Sequence, residues 1–280
     1  MLTLRNNEIP ERLQRLAQPP KQLFIEGDIE PLLERPCVGI VGSRKLSHYG
    51  RQVTEQLARH LAAQGIVVIS GLALGVDSVA HQAALDAGGG TIAVLPGSVE
   101  EVYPASHRQL ARDILAKGGA LVSEYPKGTP TLRANFIARN QIIAGLSDVL
   151  LVTEAALKSG SLHTARFAME QGKDVLAVPG NVSSATSEGT NNLIKSGAAL
   201  VTSVDDILHA LKIESKTAQQ TVKGDTEAEQ IIIDLIRQGV RDGNELQQRS
   251  QLDITIYNQS LTMLEIQGKI RPIGANNWSL

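Results

Sequence analysis

The sequence predicts an α/β fold: an extended Rossmann-like, three-layer domain with a mostly parallel sheet, followed by a small C-terminal winged-helix domain. Short aliphatic runs alternate with stretches of helical periodicity, the order expected of right-handed β-α-β crossovers. Aromatic residues make up only 3% of the 280 residues. Aliphatic side chains therefore carry the apolar content, as in strands that are buried on both faces of a parallel sheet.

Seven aliphatic runs are the strand candidates of the first domain. They are Cys37–Val41, Ile66–Ile69, Thr91–Leu95, Ala120–Ser123, Asp148–Val152, Asp174–Val178 and Ala198–Val201. Helical periodicity fills the intervals between these runs. The predicted helices are Arg51–Gln64, Asp77–Ala87, Ser106–Lys117, Asn135–Leu146, Ser161–Gln171 and Val204–Leu211.

Composition divides the chain into four segments. Residues 1–36 are interpreted as a leader packed on the core, and residues 37–212 as the Rossmann-like domain. Residues 213–225 are polar and predict a linker. The alternation of strands and helices ends there, so residues 226–280 are predicted to form a second domain.

This second domain has the pattern of a winged helix, a variant of the helix-turn-helix. Helices are predicted at Thr226–Gln238, Glu245–Ser250 and Thr255–Gln267, followed by a hairpin at 269–280. Residues 253–268 contain neither Lys nor Arg, whereas neutralisation of phosphates supplies most non-specific affinity for DNA. The charges therefore favour a protein contact or a structural role for this domain over duplex binding.

The overall charge and the single cysteine limit the kind of binding surface and the cellular compartment that we expect. The net charge is −2, so any nucleic-acid surface must be a local cluster of basic residues. Cys37 opens an aliphatic run, which indicates a packed thiol in a reducing compartment. The N-terminus lacks the apolar core of a signal peptide, and no apolar run is long enough to span a membrane. We therefore expect a soluble, cytoplasmic protein with no membrane partner.

Three glycine-bearing turns follow strand candidates, where open parallel sheets bind their ligands. The residues singled out in them are Gly42, Ser43, Arg44, Ser70, Gly71, Gly75, Lys158, Ser159, Gly160 and Ser161. Helix starts offer unpaired N–H groups and a positive dipole end, and the basic side chains add full charges. The expected ligand is an anion, most simply phosphate.

Cofactor fingerprints are missing from these turns. Arg44 and Leu46 stand where a dinucleotide-binding turn needs glycine, and there is no Walker A loop, so we expect neither a nucleotide cofactor nor a metal. Asp77 is interpreted as a helix cap. His81, which lies four residues later, is interpreted as structural because no partner nucleophile or ligand set accompanies it.

One segment predicts contact with a nucleic-acid strand. Arg133, Phe136, Arg139 and Asn140 recur at spacings close to one helix face. A base that stacks on the ring while arginines hold the backbone is a design of single-strand binding proteins. The alternative is a buried Phe136 beside surface arginines, and the spacing alone does not decide between them.

Several further motifs occur in a fixed order along the chain. They are Gly42-Ser43-Arg44, Ser70-Gly71-x-Ala73-x-Gly75-x-Asp77, Tyr103-Pro104, Ser123-Glu124, Phe136-x-x-Arg139-Asn140, Glu154-Ala155, Lys158-Ser159-Gly160-Ser161, Thr164-Ala165 and Pro179-Gly180. Together they resemble the DNA-processing protein A (DprA, also Smf) family, from Ile9 to about Leu211. The end of the chain is similar to that family's small winged-helix domain.

The resemblance implies single-stranded DNA binding, protection of incoming DNA in natural transformation, loading of the RecA recombinase, a homodimer and no enzymatic activity. By position, Gly42 to Arg44 match the family's phosphate-binding turn. Arg133, Phe136 and Arg139 match its strand-contacting positions, and Lys158 to Ser161 match a second loop of the same pocket. Gln141 stands where the family commonly has Arg, which predicts one weaker contact.

Two other functions stay open at this point. The fold is shared with nucleoside-monophosphate phosphoribohydrolases, whose Pro-Gly-Gly-x-Gly-Thr-x-x-Glu signature supplies a catalytic carboxylate. The corresponding loop, Lys158 to Ser161, lacks that Glu. The third possibility is a scaffold that binds a protein partner and no nucleic acid.

Overall fold

The structure is a computed structural model that describes residues 1–213, 223–274 and 276–279. The chain divides into two compact units, Met1–Glu214 and Ser215–Leu280. Most of the predicted linker, at 214–222, lies outside the described residues. No helix among the described residues is long and apolar enough to cross a membrane.

The first unit is built on a nine-stranded sheet. Its strands are β1 (Leu2–Arg5), β2 (Gln22–Glu26), β3 (Cys37–Val41), β4 (Val67–Ser70), β5 (Thr91–Val94), β6 (Ala120–Ser123), β7 (Val149–Val152), β8 (Asp174–Ala177) and β9 (Ala199–Leu200). The spatial order is β1-β2-β6-β5-β4-β3-β7-β8-β9. All neighbours from β6 to β9 pair in parallel. The order reverses between β3 and β7, and ligands bind at such switch points, outside the carboxyl ends of the strands.

Helices cover both faces of this sheet. They are α1 (Glu11–Gln14), α2 (Glu30–Leu33), α3 (His48–Ala63), α4 (Val76–Asp86), α5 (Arg108–Ala116), α6 (Arg133–Leu146), α7 (Ser161–Glu170), α8 (Glu188–Lys195) and α9 (Val204–Ala210). The side chains of β3 alternate between the layers. Val38 and Ile40 pack in the core that includes α3 and α4, and Cys37 and Val41 pack in the core that includes α6 and α7. The predicted three-layer α/β fold is confirmed.

Residues 1–36 do more than pack on the core, because they supply two strands that the sequence analysis placed nowhere. β2 joins the sheet antiparallel to β6, with Ile25 opposite Val122, and β1 pairs with β2. The apolar side chains of Leu23 and Ile25 are fully buried. A short strand that pairs antiparallel at one side of a parallel sheet has a weaker apolar sequence pattern than the central strands, which are continuous aliphatic runs.

The second unit consists of three helices and a hairpin. They are α10 (Glu227–Arg237), α11 (Gly243–Ser250), α12 (Ile254–Ile266), β10 (Arg271–Gly274) and β11 (Asn277–Ser279). Ile232, Leu246, Tyr257 and Leu264 form a small core of their own. The order of elements is the one expected from the sequence, and the winged-helix assignment stays a prediction.

Candidate functional site

Loops that follow β3, β4 and β7 meet at the carboxyl edge of the sheet. The amide N–H of Ser43 donates to the carbonyl of Glu154 (2.7 Å), which joins the loop after β3 to the loop after β7. The carbonyl of Ser43 accepts from the amide of Val76 (3.1 Å), at the start of α4. The three loops therefore form one hydrogen-bonded unit at the switch point of the sheet.

Two of the singled-out glycines are required by this close approach. A Cβ on Gly42 would lie 2.7 Å from the carbonyl oxygen of Glu154. Gly75 has φ +83°, and a Cβ there would collide with the carbonyl oxygen of Ser43. Both positions therefore exclude a side chain, because neither packed backbone can move aside.

Glu154 is the centre of this unit, and the sequence analysis assigned it no role. Its carboxylate is only 2% exposed. It accepts hydrogen bonds from the amide of Ser47 (2.9 Å), the hydroxyl of Ser47 (2.5 Å) and the hydroxyl of Thr186 (3.0 Å). Ser47 is also the N-cap of α3. Glu154 thus fixes both ends of the turn that carries Arg44.

Arg44 and Phe136, which the sequence placed in separate motifs, are in contact in the structure. The guanidinium carbon of Arg44 lies 4.9 Å from the ring centroid of Phe136, in a cation–π contact. Tyr103, in the loop after β5, contacts the same ring edge-on at 5.7 Å. Arg44 is exposed, and no carboxylate pairs with it among the described residues. It is therefore available to an anion.

Arg139 is placed differently from the expectation. It is 4% exposed, and its guanidinium donates to the carbonyls of Gly71 and Val94, the latter at 2.6 Å. Its Nε donates to the side chain of Asn140 (3.1 Å). Arg139 therefore contacts protein and holds α6 against the ends of β4 and β5. It is not presented to a strand together with Arg133, which is exposed at the first position of α6.

Burial is the largest cause of the pKa shifts of the charged residues beneath these loops. Desolvation lowers the pKa of Arg139 to about 10. The nearby charge of Asp77 opposes this shift, and that of Arg44 reinforces it. Desolvation also raises the pKa of Asp77, and Arg139 opposes that shift. Asp77 accepts from the amide of Ala73 (3.3 Å). The hydrogen bonds that Asp77 and Arg139 make to Ala73 and Gly71 therefore stabilise the loop after β4 from within.

Ser70 and Gly71 also face the interior. The hydroxyl of Ser70 donates to the carbonyl of Ile40 (2.6 Å). A Cβ on Gly71 would collide with the guanidinium of Arg139. Both residues position the loop after β4, and neither presents a side chain to a ligand.

The third predicted turn lies between β7 and α7. Lys158 is exposed, and Ser159 and Ser161 share a hydroxyl hydrogen bond of 2.7 Å. The amide side chain of Asn140 donates to the carbonyl of Gly160 (3.4 Å), which joins this turn to α6. The structure therefore links the third turn to the helix that carries Phe136.

His81 lies in the buried layer beneath these loops and has the structural role expected of it. The Thr91 hydroxyl donates to the carbonyl of Val68, so it accepts from Nδ1 of His81 (2.7 Å). Burial, with Arg139 and His107 nearby, lowers the pKa of His81 to about 3. The ring is therefore neutral and held in one tautomer.

The amino-acid sequence is similar to proteins named Smf and DprA. Protein Smf of Escherichia coli K12 is 46% identical over 203 residues, which are 72% of this chain and 54% of that protein. DNA processing protein DprA of Streptococcus pneumoniae is 42% identical over 199 residues, which are 71% of this chain and 70% of the relative. The chain thus spans about half the length of the first relative and somewhat over two thirds of the second.

Two solved structures share the fold. DprA from Streptococcus pneumoniae has a TM-score of 0.69 and 39% identity, covering 74% of this chain and 73% of that one. DprA from Helicobacter pylori has a TM-score of 0.68 and 37% identity, covering 75% of this chain and 95% of that one. The family model for DNA recombination-mediator protein A matches residues 1–212. Because this family model covers more than half of the chain and the two Smf and DprA relatives are 46% and 42% identical to it, the chain belongs to the DNA recombination-mediator protein A family.

Proposed function

We propose that the first unit binds single-stranded DNA at the carboxyl edge of its sheet, with little sequence preference. The observation that carries this proposal is the contact between exposed Arg44 and Phe136, which combines a phosphate-binding cation with an aromatic surface. Arg133 and Lys158 add exposed cations on α6 and on the turn before α7. The Helicobacter pylori relative is described as having a single-stranded DNA binding mode, which supports the same ligand here.

Binding without catalysis is part of the proposal. A phosphoribohydrolase needs a carboxylate that can reach its substrate. Two carboxylates among the described residues lie at these loops, and both are buried: Glu154 accepts hydrogen bonds from Ser47 and Thr186, and Asp77 accepts from the amide of Ala73. The turn from Lys158 to Ser161 contains no acidic residue. We therefore propose that the site holds a polyanion and performs no reaction.

The partners are proposed from the family resemblance. We propose that the protein protects incoming single-stranded DNA and loads the RecA recombinase on it, in natural transformation or recombination. We also propose that it is a cytoplasmic homodimer. The second unit, as a winged helix, would then contact protein, because α12 contains neither Lys nor Arg.

A titration with labelled oligonucleotides tests the DNA proposal. A short oligothymidine should bind more tightly than a duplex of equal length, because stacking on aromatic side chains requires unpaired bases. Affinity should fall steeply with added salt, because each phosphate contact releases counterions. Equal affinity for the duplex, or a flat response to salt, would contradict the proposal. Absence of any binding would favour the scaffold alternative.

A further inference from the structure

Phe136 is the aromatic residue that the sequence places among the arginines, but its ring is already engaged. The guanidinium of Arg44 lies over the ring, 4.9 Å from its centroid. Tyr103 meets the same ring edge-on, with 78° between the two planes. Phe136 is itself half-buried. A nucleobase that stacked on the covered face would first have to displace Arg44 and give up the cation–π contact.

Tyr103 presents the aromatic surface that Phe136 lacks. Its side chain is 49% exposed, and its hydroxyl has no hydrogen-bond partner in the described part of the chain. The loop that carries it is anchored on both sides. Val102 packs against the core beside α5, and Nδ1 of His107 donates to the carbonyl of Leu72 (2.8 Å). The ring is thus both accessible and held in place.

We infer that Tyr103 is a binding residue for an unpaired nucleobase, and that Phe136 is a positioning residue that orients Arg44 and Tyr103. This inference rests on the proposed binding of single-stranded DNA. Arg44 and Tyr103 both contact the ring of Phe136, so a phosphate held by Arg44 and a base stacked on Tyr103 can belong to neighbouring parts of the same strand. The site would then bind a backbone phosphate and the flat face of a base, and neither contact depends on which base it is.

Two oligonucleotides of equal length separate these roles: an oligothymidine, and a strand of abasic sugar phosphates. Tyr103→Leu should weaken binding of the oligothymidine by about five- to 150-fold, the range expected for one stacked base. It should leave binding of the abasic strand unchanged. Tyr103→Phe should bind both strands like the parent, because the ring is retained. Arg44→Ala should weaken binding of both strands.

A second tyrosine provides the matched control. Tyr49 is 46% exposed, but its hydroxyl donates to the carbonyl of Pro179 (2.8 Å), whereas the tyrosine in ring contact with Phe136 is Tyr103. Tyr49→Leu should therefore bind both strands like the parent. If it loses as much oligothymidine affinity as Tyr103→Leu, or if Tyr103→Leu loses equally on both strands, Tyr103 is not a base platform.

The positioning role of Phe136 is tested on the abasic strand, where stacking is absent. Phe136→Leu should weaken binding when Arg44 is present and should have little effect in an Arg44→Ala background. Additive losses would overturn the positioning role. If the parent protein binds neither oligonucleotide, the proposed function itself fails. If it binds both and Tyr103→Leu changes nothing, only the present inference fails.

Discussion

The two edges of the sheet in the first unit both carry basic side chains, but they use them differently. At the amino edge, Arg12 pairs with Asp148 (3.1 Å) and donates to the carbonyl of Leu146 (3.0 Å). Arg35 donates to the carbonyl of Gly65 (2.7 Å). These cations are engaged by the protein itself and hold the starts of the strands together.

Lys173 extends this arrangement at the amino edge. Its ammonium donates to the carbonyls of Ala144, Gly145 and Ser147, each at 2.6 Å, where α6 ends. At the carboxyl edge, by contrast, exposed Arg44, Arg133 and Lys158 have no carboxylate partner among the described residues. A basic residue at the end of a strand therefore indicates a ligand-binding site only when no carboxylate or backbone carbonyl of the protein already binds it.

The largest expected effect concerns Arg139, which lies at the carboxyl edge but is engaged like the cations of the amino edge. Arg139→Met should lower the free energy of unfolding by about 3–5 kcal/mol, because the buried carbonyls of Gly71 and Val94 lose their donor and buried Asp77 loses a nearby positive charge. Urea unfolding measures this. Arg133→Met, on the same helix, is the matched control and should stay within about 0.5 kcal/mol of the parent. Equal losses in the two variants would remove the distinction between them.

The second prediction tests the exposed cations directly. Arg44→Ala and Arg133→Ala should each weaken binding of single-stranded DNA by about 1–3 kcal/mol and lower the salt slope, as expected for lost phosphate contacts. Their melting temperatures should stay near the parent's. Arg12→Ala, at the amino edge, should bind DNA normally. Normal binding by both carboxyl-edge variants, with the fold intact, would place the DNA elsewhere.

A third, smaller effect concerns pH. His81 has its pKa lowered from 6.5 to about 3, so below pH 6.5 the unfolded chain binds a proton that the folded protein does not. This contribution lowers stability as pH falls through that range. Between pH 7 and 5.5, His81 should account for about 1 kcal/mol of lost unfolding free energy. In His81→Gln the loss over this interval, measured by urea unfolding, should be smaller by that amount. An identical loss in both proteins would show that His81 takes up its proton in the folded state.

The smallest effect is expected from the second unit. A truncated protein ending at Lys212 should keep most of its affinity for single strands, because the exposed cations described above all lie in the first unit. RecA loading on single strands should be measured on the same truncated protein, because we expect the second unit to contact protein. A loss of more than about tenfold in affinity, with the first unit folded, would show that the second unit binds DNA although α12 contains neither Lys nor Arg.

The parts of the fold that were predictable are those with strong local patterns. Aliphatic runs predicted β3 to β9, and helical periodicity predicted α3 to α7. The short strands β1 and β2 were missed because an antiparallel strand at the side of the sheet lacks a continuous aliphatic run. Their place depends on pairing with β6, which lies far along the chain.

In the site, too, local sequence patterns predicted some features, and contacts between distant residues decided the others. The spacing of Arg133, Phe136 and Arg139 correctly predicts a helix, but it does not say which residues face solvent. That depends on the packing of α6 against β3, β4 and β5, which buries Arg139. Glu154 was missed as an organiser because its partners, Ser47 and Thr186, lie far from it in sequence. Its position two residues after the end of a buried strand was the available signal.

The pairing of β2 with β6 has a consequence for synthesis on the ribosome. Leu23 and Ile25 are buried against strands that are made later, and Ile25 meets Val122 only after roughly a hundred further residues, or about 5–20 s of translation, have followed. During that interval the nascent chain exposes an apolar segment with unpaired backbone groups. We therefore expect β1 and β2 to be incorporated into the sheet late, after β5 and β6 have formed.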